Sequence, residues 1–164
     1  MPLDGSAFMI RIGLISDTHG LLRPEAVDAL RGSDFIVHAG DIGEGVLQPL
    51  RTLALLSVVR GNNDRAPWAQ DLNDTETLRC GDITLHVLHD LSQLALDPRA
   101  AGVDVVVSGH SHRPRIERRG GVLYVNPGSA GPVRFHLPVS VALLQVVGRE
   151  VSARVVELES LRMA

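Results

Sequence analysis

At 164 residues, 45% of them apolar, the chain is long enough for one well-buried core and too short for two ordinary domains. Its formal charge of -3, with 16 basic residues that are all arginine against 19 acidic ones, excludes nucleic acid as a bulk electrostatic partner. The lone cysteine, Cys80, excludes an internal disulfide and a thiolate zinc cage, so any metal ligands must be oxygen and nitrogen.

Residues 1–8 carry no periodicity and read as a loose arm ahead of a single domain over residues 9–164. Residues 10–16 read as a buried strand and 24–30 as a short helix, with Pro24 suited to a first helical turn. The cycle repeats with a strand over 35–39, a glycine-punctuated loop, an apolar-periodic helix over about 46–53, and a strand over 55–60. This alternation predicts βαβ units and a parallel sheet. The second half changes character. Residues 75–79 and 83–88 predict a hairpin through Gly81-Asp82, 103–108 a further strand, 115–118 a turn through Gly120-Gly121 into 123–125, and 139–146 a partner for 151–156. The expected fold is α/β with α+β character in its second half: two packed mixed β-sheets flanked by helices, an α/β/β/α sandwich. The longest apolar runs, 103–107 and 139–147, fall short of the ~18 residues a membrane-spanning helix needs, and no charged start precedes an apolar signal core. A cytoplasmic protein without membrane contact is expected. Exposed edge strands and the apolar second half leave surface for a homodimer or higher homo-oligomer.

Five short runs stand at strand ends: Asp17-Thr18-His19, Gly40-Asp41, Gly61-Asn62-Asn63-Asp64, His89, and Gly109-His110-Ser111-His112. Side chains two apart on a strand project to one face, so Asp17 with His19, and His110 with His112, can reach a common ion. In an open α/β sheet the loops beyond the carboxyl ends of strands form the binding crevice, and five such loops here carry a carboxylate, imidazole or amide. Asp-x-His or Gly-Asp alone is ordinary cap and turn chemistry. All five in this order point to a dinuclear metal site and to hydrolysis of a phosphate ester.

The order DTH, GD, GNND, H and GHSH resembles the calcineurin-like metallophosphoesterase superfamily. The segment Asn126-Pro127-Gly128-Ser129, followed by Gly131-Pro132-Val133-Arg134, looks like its small single-domain bacterial and archaeal phosphodiesterase branch. The resemblance implies Asp17, His19 and His112 at a first metal, Asn62, His89 and His110 at a second, and Asp41 bridging the two. It implies two divalent ions, manganese foremost, with nickel, iron, zinc or cobalt accepted by the same ligands. A bridging hydroxide would then attack phosphorus in line in a small organic phosphate ester, foremost a phosphodiester. A phosphomonoesterase, or a metal-binding interaction scaffold with little catalysis, are the competing readings. Two divalent ions outweigh two carboxylates and a hydroxide, so the site would attract an anionic phosphate despite the acidic surface.

The chain departs from the superfamily at two positions. Many members carry histidine after the metal-binding asparagine, where this chain has Asn63. An amide donates a hydrogen bond but transfers no proton near neutral pH, so Asn63 enters the catalytic set beside Asp41 without being a general acid. Asp64 reads evenly as a residue that positions Asn63 or a metal-bound water and as a turn residue. Asp90 follows His89 where the family has glycine, and reads either as an acceptor orienting His89 or as an Asx turn. His38 reads as a hydrogen-bonded buried residue, His86 as an ordinary strand residue and His136 as surface; Arg134 reads as a solvated loop arginine ahead of a phosphate contact at the crevice edge, and Trp68 as loop packing ahead of a pocket wall over a substrate ring. The arginines 113, 115, 118 and 119 read as a solvated strand edge.

Overall fold

The computed structural model describes residues 8–158; the expected arm lies outside these apart from Phe8, which is exposed. Strand β1 (Met9–Ile15) takes the centre of the first sheet, parallel to β2 (Phe35–His38), which lies parallel to β3 (Leu55–Val58). On its other side β1 pairs antiparallel with β9 (Ser140–Val147), and β10 (Glu150–Glu157) forms the edge. The register sets Ile15 beside His38 and His38 beside Val58, so the chain leaves all three parallel strands at one level.

The second sheet is ordered β4-β5-β6-β8-β7. Strands β4 (Thr75–Cys80) and β5 (Ile83–Leu88) form the expected hairpin, and β7 (Arg115–Arg119) folds back on β8 (Val122–Asn126). Between them β5, β6 (Val105–Val107) and β8 run parallel, with Val87, Val107 and Val125 in register. The arginines on β7 are solvated as expected: Arg115 and Arg119 pair with Glu117, and Arg118 donates to Val151 O at 2.7 Å.

The two sheets pack face to face on alternate residues of their inner strands. Ile12, Leu14 and Val37 meet Leu85, Val87, Val105, Val107 and Val125, all with essentially no exposure. Helices α1 (Pro24–Leu30) and α2 (Leu47–Arg51) cover the outer face of the first sheet through Ala26, Leu30 and Leu50. Trp68 packs into this layer, as expected for a loop anchor. Over the outer face of the second sheet lie Leu91, Leu94 and Leu96, carried by a 3-10 turn (Leu91–Gln93) and irregular chain in place of a helix. Among the described residues, no helix is long and apolar enough to cross a membrane.

Candidate metal centre

Where the parallel strands end, their loops stay coupled. Past β1 and β2 the ladder continues as Asp17 N to Gly40 O (3.0 Å), His19 N to Asp41 O (3.0 Å) and Gly20 N to Ile42 O (2.8 Å). In the second sheet Gly109 N donates to His89 O at 2.9 Å. These loops are not extended. Asp17, His19, Asp41, His110 and His112 all hold positive φ, between 47° and 73°, so left-handed turns rather than strand pleating bring Asp17 and His19 together and set His110 apart from His112. Such residues cost of order 1–3 kcal/mol each, and they persist where the surroundings over-determine them.

The surroundings do so here. Asp17 is fully buried; its Oδ2 accepts from Ser16 Oγ (2.7 Å) and from His110 N (3.0 Å), which leaves Oδ1 free. That oxygen lies 3.3 Å from His112 Nε2, 3.8 Å from His19 Nε2 and 3.9 Å from His89 Nε2. Asp41 Oδ2 lies 3.3 Å from His89 Nε2 and 3.9 Å from His19 Nε2. Two ligands at ~2.1 Å from one ion stand about 3.0–3.4 Å apart for octahedral to tetrahedral angles. The observed spacings match or slightly exceed that. Asp17 Oδ1, His19 Nε2 and His89 Nε2 are buried without a hydrogen-bond partner, which is the condition of donor atoms that turn inward on a cation. Two groups result, Asp17 with His19 and His112, and Asp17 with Asp41 and His89, with the carboxylates between the histidines.

The electrostatics fit that role. Burial would raise the Asp41 carboxyl, but the His89 ring and the Asn63 amide outweigh it and hold it at about 2. For Asp17 burial is likewise outweighed, by His112, Ser16 and the His89 charge, and its carboxyl is lowered. Both are therefore anionic at neutral pH. His89 Nδ1 donates to Ala39 O at 2.8 Å, which turns Nε2 towards the carboxylates, where a bound cation would take the place of the Nε2 proton.

The remaining expected ligands stand further out. Asn62 is exposed beside His89, and His110, 46% exposed, points its Nε2 at Asp90 Oδ2 (3.8 Å). Asp90 takes the Asx-turn reading, its Oδ1 accepting from Ser92 N and Oγ; it does not orient His89, whose Nδ1 goes to Ala39 O, and its other oxygen faces His110. Asn63 donates to both Asp41 oxygens, from N (2.9 Å) and Nδ2 (3.0 Å). Asp64 is buried and spends both oxygens on the amides of Ile42, Gly43 and Gly61, so it organises the turn. Beside Asn62 opens a polar cleft of about 630 Å³, lined by Arg60, Arg65, Gln70, Asp90 and Gln93.

Several supports were not foreseen. Asn126 donates to Gly109 O (2.9 Å) and Ser111 Oγ (3.1 Å), and its own Oδ1 accepts from Gly128 N (2.9 Å). Ser129 Oγ donates to Asp17 O at 3.0 Å. The Asn-Pro-Gly-Ser segment, which marked the family resemblance in the sequence without a role, thus braces the loops of both sheets. His38 accepts from Gly40 N at Nδ1 (3.1 Å) and meets Thr18 Oγ1 at Nε2 (3.0 Å); because Thr18 donates to Ile42 O (2.6 Å), His38 Nε2 carries the proton. This buried ring ties the Asp17–His19 loop to the Asp41 loop.

Two sheets that gather carboxylates and imidazoles at the ends of their parallel strands define a metal-binding sandwich. The model of the calcineurin-like phosphoesterase superfamily domain matches residues 10–149, and the chain belongs to that family. It is 37% identical over 158 residues to a probable metallophosphoesterase of Methanothermobacter thermautotrophicus, covering 88% of this chain and 91% of the relative. It is 27% identical over 138 residues to a phosphodiesterase of Methanocaldococcus jannaschii, covering 73% and 83%. The solved structure of an archaeal phosphodiesterase shares the fold with a TM-score of 0.74 at 24% identity, over 90% of this chain and 100% of that one.

Proposed function

We propose that the chain is a phosphodiesterase that holds two divalent cations, manganese foremost, and hydrolyses a small organic phosphodiester. The observation that carries this is the inward convergence of Asp17 Oδ1, His19 Nε2 and His89 Nε2, buried and unpartnered around two anionic carboxylates. Asp17, His19 and His112 would hold one ion, and His89, Asn62 and His110 the other, with Asp41 between them. When bound, the ions supply an acidified water at neutral pH and neutralise charge on the phosphoryl oxygens. The chain's own residues arrange the rest. His89 arrives with its Nε2 already oriented by Ala39 O, and Asp41 with its proton already lost. Asn63, exposed at the mouth, offers amide protons to a phosphoryl oxygen but none to a leaving group. Asp64 positions that loop through backbone amides. The polar cleft beside Asn62 gives an ester arm room. The phosphodiesterase name of the Methanocaldococcus relative supports the diester over the monoester.

The test is elemental analysis of purified protein together with hydrolysis of bis(p-nitrophenyl) phosphate in added manganese. Asp41→Asn should lower that rate at least about 100-fold, in line with losing a group essential to metal-assisted chemistry. Metal uptake without any ester turnover in the unaltered chain sinks the enzymatic reading in favour of a scaffold.

A further inference from the structure

The turn over residues 134–137 is built from residues that resist it. Leu137 N donates to Arg134 O at 3.0 Å, and both central residues, Phe135 and His136, hold a φ of 57°. Positive φ at both central positions is the type I′ pattern, whose usual occupants are glycine, asparagine and aspartate. A bulky aromatic residue there is an outlier. Burial offers no compensation, because Phe135 is 74% exposed and Val133 beside it 60%. What the turn accomplishes is placement. The Phe135 ring centroid stands 6.3 Å from that of His112, at an interplanar angle of 76°, so the exposed ring hangs at the edge of the candidate metal centre. The loop's base is fastened to the site: Arg23 Nε donates to Gly131 O (3.0 Å), and Ala130 N to Ser16 O (3.0 Å), next to Asp17. Backbone strain of this kind clusters at active sites and ligand clamps, and here it holds an exposed aromatic ring beside the candidate centre.

We propose that Phe135 is a stacking platform for the organic group of the phosphate ester, so that the chain selects esters carrying a planar aromatic ring. This rests on the phosphoester reading above and adds the class of ester. Aromatic faces attract planar rings beyond mere area burial, and an exposed ring held by a stiff turn loses little freedom on binding.

Calorimetric titration of manganese-supplemented protein with phenyl phosphate and with cyclohexyl phosphate, which differ in ring planarity, tests it. The unaltered chain and Phe135→Tyr should bind phenyl phosphate more tightly than cyclohexyl phosphate. Phe135→Asn keeps a residue the turn favours while removing the ring; it should weaken phenyl phosphate about three- to tenfold, erase the preference and leave the melting temperature equal or higher. Phe135→Gly serves the same end should the asparagine variant fold poorly. An asparagine or glycine variant that keeps the preference overturns the proposal, as does an unaltered chain that binds no phenyl phosphate or fails to distinguish the two. A variant that turns a dimer into a monomer in sedimentation also overturns it, since the ring would then belong to an interface. Hydrolysis of bis(p-nitrophenyl) phosphate is scored separately: turnover without ring preference fails this inference alone, and ring preference without turnover fails the phosphoesterase reading alone.

Discussion

Asn63 stands where a proton donor would be useful, yet it carries an amide, which transfers no proton, and its N and one Nδ2 proton go to the two oxygens of Asp41. With an amide in place of an acid at that position, the chain is expected to favour activated aryl esters over alkyl ones. Asn63→His should restore a donor and raise turnover of a dialkyl phosphate about 100-fold, with a new limb in its pH profile. An unaltered rate on that poor leaving group would count against the assignment. The candidate site was legible at this scale as a set of residue types at strand ends. Its backbone was not. Left-handed conformation is foreseen at glycine, and here it falls on Asp17, His19, Asp41, His110 and His112, where only the neighbouring loops enforce it. Asp64 was equally opaque, since the choice between a turn carboxylate and an active one depends on which amides surround it.

Strands, hairpins and α1 followed from apolar runs and turn residues, because those signals are local. Two features at the scale of elements were not legible. The layer outside the second sheet is irregular apart from one 3-10 turn, and the braces across the site link segments far apart in sequence, such as Asn126 with Gly109. Gly61 and Gly109 show how tightly the loops meet: a Cβ at Gly61 would overlap the Asp41 carboxylate, and one at Gly109 the Ser16 hydroxyl. Asn126→Ala should therefore act on the metal loops without touching a ligand. It leaves Gly109 O and Gly128 N without their partner, at about 1–3 kcal/mol, and should weaken manganese binding about 10- to 100-fold. The gain in melting temperature on adding manganese measures it; a gain equal to that of the unaltered chain would refute the brace.

For the molecule as a whole, acid is the revealing stress. His38 is fully buried, and its burial depresses the imidazole from 6.5 to about 3. Unfolded, the ring binds a proton below pH 6.5 that the folded ring refuses down to about 3, so stability falls as pH drops through that window, by roughly 1 kcal/mol per pH unit at most. His38→Gln, which can still bond to Thr18, should flatten the slope of denaturation midpoint against pH between 6.5 and 4; an undiminished slope would assign the acid sensitivity elsewhere.

Both acidic ligands, Asp17 and Asp41, hang from the first sheet, while His89, His110 and His112 hang from the second. A cation lodged at their meeting line is bonded to both halves of the sandwich at once and works as a rivet through the seam. Pulling the rivet with a chelator should loosen the two halves together: deuterium uptake should quicken in β1 and β2 and in β5 and β6 by similar factors, and faster uptake in one half alone would mean that each sheet keeps its own counsel.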